Sequence, residues 1–233
     1  MSMNGIQILE LFKQYYLEDK KMDELQLALK NAPTWQNAQA YAERLGELVG
    51  MVYADTNILD GDLSQEVIFN LIQPTLNQAY DLCAQASGYV QKFTNEQYGF
   101  NLKALIPTPD GSRIQNLATE LANKGYVEIY KSFNAQVQNI TQAAVDDTMK
   151  KNATFLSNSG IKTEYRRIPD AGACKWCRSM AGTYTAVDAP DGFWGHHTNC
   201  HCQIEIVGMK KADNYWRDRW TAKEARERMD KMQ

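Results

Sequence analysis

The chain has 233 residues, 44% of them hydrophobic and 23% charged, with a formal net charge of −3. That length can bury a core in one large domain or two small ones, and the composition excludes disordered and fibrous classes. No apolar run reaches the roughly 18–20 residues of a membrane-spanning helix. The opening stretch MSMNGIQILELFKQYYLEDKK lacks the charged lead, apolar core and small-residue cleavage site of a secretion signal. A soluble, cytoplasmic chain without a membrane partner is expected.

Charge is unevenly spread. Residues 1–160 carry 12 Lys+Arg against 18 Asp+Glu, whereas residues 210–233 carry eight basic against five acidic side chains. A mildly basic tail on an acidic body suits contact with nucleic acid or an acidic partner, and equally a solvated helix.

In chain order, IQILELFKQYYLEDKKMDELQLALK has apolar residues at helical spacing with charges between them. PTWQNAQAYAERLGELVGMVYADTNIL repeats the pattern and opens with Pro33, a residue that a first helical turn tolerates. A third helical stretch, LSQEVIFNLIQPTLNQAYDLCAQASGYVQKF, contains Pro74 as an expected kink or break and Cys83 as a small buried apolar residue. After the Pro/Gly-rich loop GFNLKALIPTPDGS, the spacing of Ile114, Leu117, Leu121, Val127, Tyr130, Phe133, Val137, Ile140 and Val145 predicts one long helix from Arg113 to Phe155.

SNSG at 157–160 ends that run and the character changes. KTEYRRIP alternates as a strand does, GTYTAV is β-branched and aromatic, and CQIEIV is a short apolar strand. TAKEARERMDKMQ reads as a last helix, with Thr221 and Glu224 at capping-box spacing. Trp216, Trp220 and Met229 would pack inward there, leaving Arg219, Lys223, Arg226 and Arg228 on the wet face. The expected class is α+β: a helical domain over 1–160, a small metal-stabilised β-rich Cys/His module over 161–209, and a basic amphipathic C-terminal helix over 210–233.

Residues 174–202, CKWCRSMAGTYTAVDAPDGFWGHHTNCHC, hold four of the five cysteines and all three histidines. Cys174-x-x-Cys177 puts two thiolates on one tight turn, where both reach one ion at Zn–S distances of about 2.3 Å. His197, Cys200 and Cys202 return about twenty residues later. A closed structural zinc site takes four ligands, so four of Cys174, Cys177, His197, Cys200 and Cys202 are expected to hold Zn2+. His196 and His201 are left as bystanders or outer donors. Two disulfides could use the same cysteines in an oxidising setting. A redox CxxC would need a βαβ setting that the helical N-terminal region does not offer. A zinc deaminase needs H-x-E and P-C-x-x-C, and neither is present. Trp176, Phe193 and Trp194 are expected to pack around the site and keep water out.

The segments CKWC and FWGHHTNCHCQIEIV resemble the C-terminal signature of the phage Mu F-like minor head proteins, the head morphogenesis or minor capsid proteins of tailed bacteriophages. His197-Thr198-Asn199-Cys200-His201-Cys202 matches that family's H-x-N-C-R-C segment, with His201 where the family usually has Arg. Arg166 and Arg167 sit where basic residues are usual, and the match spans roughly residues 162–207. The resemblance implies a structural head protein rather than an enzyme, built into the procapsid in few copies near the portal. Its implied partners are the portal and major capsid proteins, with phage DNA as a further one. Its implied location is the host cytoplasm during assembly and then the virion head.

Two other classes stay open. A zinc-stabilised DNA-binding module would act through Arg166, Arg167, Lys175 and Arg178 and show a steep salt dependence. An HNH-type nuclease would use GHHTN, although its histidines are crowded within four residues and no Asp-His pair accompanies them.

Overall fold

The structure is a computed structural model and describes residues 3–197 and 200–211. The predicted C-terminal helix, with Thr221 and Glu224, lies outside the described residues.

The chain builds its helical part first. Helix α1 (Gly5–Glu18) starts on a capping box: the Asn4 side chain accepts from the backbone N–H groups of Ile6 and Gln7, each at 3.0 Å, while the Asn4 N–H donates to Gln7 Oε1. Helix α2 (Lys20–Asn31) follows after one residue. Asp19 both ends α1 and caps α2, its Oδ1 accepting from the Met22 N–H at 2.7 Å. The first helical stretch of the sequence is therefore two helices.

Helix α3 (Trp35–Thr56) starts on Thr34 and stops at Asn57, which takes the left-handed conformation with φ 48°. Helix α4 (Gln65–Gln97) runs through Pro74 without being divided there. Pro74 has no N–H to give the Asn70 carbonyl, and it is against that carbonyl that α1 docks. A Cβ on Gly5 would lie 2.3 Å from Asn70 O, so only glycine lets the two helices meet.

The predicted long helix from Arg113 to Phe155 is instead two, α5 (Gly111–Lys124) and α6 (Tyr126–Asn158). Gly125 between them has φ 76° and ψ 152°, a conformation essentially closed to other residues, so the axis turns there despite continuous apolar spacing. The preceding loop is pinned to α6 by Asn152. Its side chain accepts from the Leu105 N–H and donates to the Leu105 carbonyl, each at 2.8 Å.

Helix α6 is the spine, packing on α3, α4, α5 and the sheet. Among the described residues three antiparallel strands follow: β1 (Ile161–Ile168), β2 (Gly182–Thr185) and β3 (Gln203–Lys211), in the order β2-β1-β3. A five-residue helix, α7 (Lys175–Ser179), lies between β1 and β2. Along β1 the inward residues are Ile161, Thr163, Tyr165 and Arg167, the period-two alternation of a half-buried strand. Tyr165, Phe193 and Ile204 belong to the same buried cluster as the helices, so one core runs across the helix-to-strand boundary. The fold is α+β, helical first and β-rich after. Among the described residues no helix is long and apolar enough to cross a membrane.

Candidate metal centre

Helix α7 begins on Cys174, whose Sγ accepts from the Cys177 N–H at 3.4 Å. That turn places both thiols on one side. β2 and the loop after it then carry the chain back, so that His197 Nε2 lies 3.2 Å from Cys174 Sγ and 3.0 Å from Cys177 Sγ. Cys200 Sγ is 3.5 Å from Cys177 Sγ. Cys177, Cys200 and Cys202 form a second triad whose sulfurs all lie within 4.8 Å of one another. Cys177 is the hub, common to both triads. The expected ligands Cys174, Cys177, His197, Cys200 and Cys202 thus converge, while Cys83 sits apart, fully buried on α4. All five cysteines are free of disulfides.

The donors fit a metal. Zinc bonds of about 2.0–2.3 Å in a tetrahedron set donor-to-donor edges of roughly 3.6–3.8 Å. The three close contacts open by roughly half an ångström or less, and the two triads draw together about Cys177, to admit such an ion. Cys177, Cys200 and Cys202 are buried and Cys174 is exposed, so the cluster is closed on its inner side and open at one corner. The Cys177 N–H pulls the Cys174 thiol down to about 7. Burial pushes Cys177 up to about 12 and raises Cys200. Burial also opposes ionisation of Cys202, but the Asp170 N–H and the Cys177 and Cys200 thiols outweigh it and bring Cys202 below its ordinary value.

A set of groups from distant helices holds the returning loop. His196 presents Nδ1 to Asp146 Oδ2 at 2.5 Å and Nε2 to the Cys202 carbonyl at 2.6 Å. Burial favours the neutral ring, but the Asp146 carboxylate prevails and raises the His196 pKa. Gln142 donates to the Cys200 carbonyl at 3.2 Å and to Glu43 at 3.1 Å, and Glu43 faces His201 Nδ1 at 3.2 Å. The sequence reading assigned no role to Asp146, Gln142 or Glu43, which lie on α6 and α3, and nothing local to them signals one.

Of the three aromatic residues expected around the site, Trp176 lies against a donor, His197, and is itself partly exposed, whereas Phe193 is buried in the main core with Trp194 packed on it. Trp176 meets the His197 ring edge-on, centroids 5.7 Å apart, and Phe193 meets Trp194 at 4.9 Å. Arg167 departs from its expected role. It is 1% exposed and turned toward the cysteines, so it cannot meet a nucleic-acid backbone at the surface. Its neighbour Arg166 is exposed and pairs with Glu205, and Lys175 and Arg178 are exposed on α7. The signal that separates the two arginines is the strand alternation, which puts Arg167 in phase with Thr163 and Tyr165.

A family model described as VG15 protein, a viral family, matches residues 19–228, most of the chain and all of the cluster. No curated protein and no solved structure matches.

Proposed function

This chain belongs to the VG15 protein family, a viral family, and on that premise we propose that it is a minor head protein of a tailed phage, acting in procapsid assembly near the portal. The observation that carries this reading is the convergence of Cys174, Cys177, His197, Cys200 and Cys202 immediately before β3, in the H-x-N-C-x-C arrangement that resembles the Mu F-like head proteins. The role is structural rather than enzymatic. Catalytic zinc sites keep three protein ligands and an open position, whereas five donors here are enough to close a four-coordinate shell. Zn2+ held there ties α7 to the loop that enters β3 and supplies folding free energy that such short strands lack. The portal and major capsid proteins are the partners, and the assembled head is the location.

The test is mass spectrometry of procapsids and mature heads purified from an infected host, with the chain's gene intact or deleted. The chain is expected in few copies per particle, with portal-containing heads reduced in the deletion. Particles that lack the chain and form normally without it would overturn the reading. A DNA-binding role rests on the exposed Arg166, Lys175 and Arg178. It would instead show as affinity for duplex DNA that falls steeply with salt.

A further inference from the structure

Arg167 occupies a position that its strand reserves for inward-facing side chains, after Ile161, Thr163 and Tyr165. A guanidinium stays charged at any pH a protein meets, so it cannot escape burial by losing a proton. A buried cation needs a partner of opposite charge. The hydrogen bonds around Arg167 do not supply that charge. Nη1 donates to the Phe193 carbonyl, which is neutral. Nε is buried without a hydrogen-bond partner among the described residues. The ring of Trp176 covers the guanidinium at 5.5 Å and shields it from water. Nη2 points to Cys200 Sγ at 3.9 Å.

The carboxylates nearest the loop face partners of their own: Asp146 Oδ2 is 2.5 Å from His196 Nδ1, and Glu43 Oε1 is 3.2 Å from His201 Nδ1. The group that the Arg167 guanidinium itself faces is sulfur. A divalent ion with four thiolates carries a net −2 and would leave one charge uncompensated beside a single buried cation. Three thiolates and one imidazole carry −1, which Arg167 cancels.

We infer that Arg167 is the counter-ion of a metal centre made of three thiolates and one imidazole, with Cys200 as the thiolate it faces. His197 is close to both Cys174 and Cys177, and Cys177 lies within 4.8 Å of both Cys200 and Cys202, so His197 is the imidazole, Cys177 and Cys200 are two of the thiolates, and Cys174 or Cys202 is the third. This rests on the metal reading proposed above. Arg167 acts as a positioning residue: it lets sulfur hold negative charge in a buried place without drawing in a second cation.

The test is cobalt(II) titration of the full chain, read by the sulfur-to-cobalt charge-transfer band and by competition with a chelator of known affinity. Wild-type protein is expected to give a tetrahedral spectrum with three-thiolate intensity, reduced in C200S and kept in one of C174S and C202S. R167Q is expected to bind cobalt about 10–100-fold more weakly, the usual loss on removing an outer partner of a metal ligand. R167K, which keeps the charge, should recover much of that. If wild-type protein gives no tetrahedral cobalt spectrum, the metal reading itself falls. If it binds cobalt but with four-thiolate intensity, or if R167Q stays within twofold of wild type, the counter-ion inference is overturned and the metal reading stands. The thiolate count is read on wild-type protein, so a poorly folding R167Q does not remove the test.

Discussion

The Asp19 carboxylate serves a helix end and an ion pair at once. Its Oδ1 caps α2 and also accepts from Arg44 Nε at 3.0 Å, while Arg44 Nη2 reaches Oδ2 and Nη1 goes on to Glu47 at 2.6 Å. Both side chains of the pair are less than one-fifth exposed, so the interaction is less screened than a surface ion pair. The Arg44 hydrogen bonds hold the Asp19 carboxyl below its ordinary pKa. Its charged form therefore stabilises the fold fully above the unfolded value of about 3.9, and that share is lost as pH falls through the lower folded value. D19N keeps a capping side chain but removes the charge, so it is expected to cost about 1.5–3 kcal/mol near neutrality, the range for hydrogen bonds to a charged group. In urea denaturation the gap between wild type and D19N should be constant from about pH 5 to 7 and narrow below about pH 4. A gap that persists undiminished at pH 2 would contradict this account. The cysteines give a second contrast at the same scale. C177S removes the hub of both triads, whereas C83S alters a thiol buried among apolar side chains on α4. Thermal melting in the presence of zinc should show a far larger loss for C177S, and equal losses would remove the metal from the explanation.

At the scale of elements, Gly125 decides whether α5 and α6 are two helices or one. Nothing lies within 4 Å of a Cβ built there, so space is no obstacle; the backbone conformation is. G125A is expected to lose about 1–3 kcal/mol. G111A, at the first residue of α5 with open space and no positive φ, should be near neutral. Melting temperatures of the two variants check this, and a similar effect for both would mean that Gly125 carries no strain. This junction also shows what the sequence leaves hidden. Apolar spacing runs unbroken from Ile114 to Val145, and it reports which residues face the core, not whether the axis bends between them. Asp19 hides a break in the same way, because its flanks keep helical periodicity on both sides. Of the kink or break expected at Pro74, the break is absent: the residue costs α4 one bond but not its continuity, and α1 docks against the freed carbonyl. The strands and the metal donors were legible because their signals are local, a period of two or a spacing of three residues. Arg167 was legible in principle through that same period, and only its type argued for the surface. Asp146, Gln142 and Glu43 were not legible, since their roles arise from tertiary contacts reaching across about 50 to 160 positions.

For the whole molecule, those contacts join the metal loop to the helical body. The loop from Trp194 to Cys202 touches α6 through His196 and Gln142, and α3 through His201. Its neighbour Phe193 sits in the main core with Tyr165 and Ile204. A module docked only through a linker would lose its metal and leave the helices untouched. Here the Cys200 carbonyl accepts from Gln142, and His196 links the Cys202 carbonyl to Asp146, so a loop released from the metal also releases two side chains buried on α6, Gln142 and Asp146. The helices should therefore feel the metal. A ligand present at 1,000 times its dissociation constant adds about 4 kcal/mol to a two-state fold. A chain of this size shifts by roughly 2–4 °C for each kcal/mol. Stripping zinc with a chelator is thus expected to lower the melting temperature of the far-ultraviolet helical signal by on the order of 10 °C. The aromatic near-ultraviolet signal, fed by Trp176 against His197 and by Trp194 next to the loop histidines, should move with it. If the aromatic signal collapses on chelation while the helices melt at an unchanged temperature, the loop is an appendage and the core is not continuous in energy, whatever its packing.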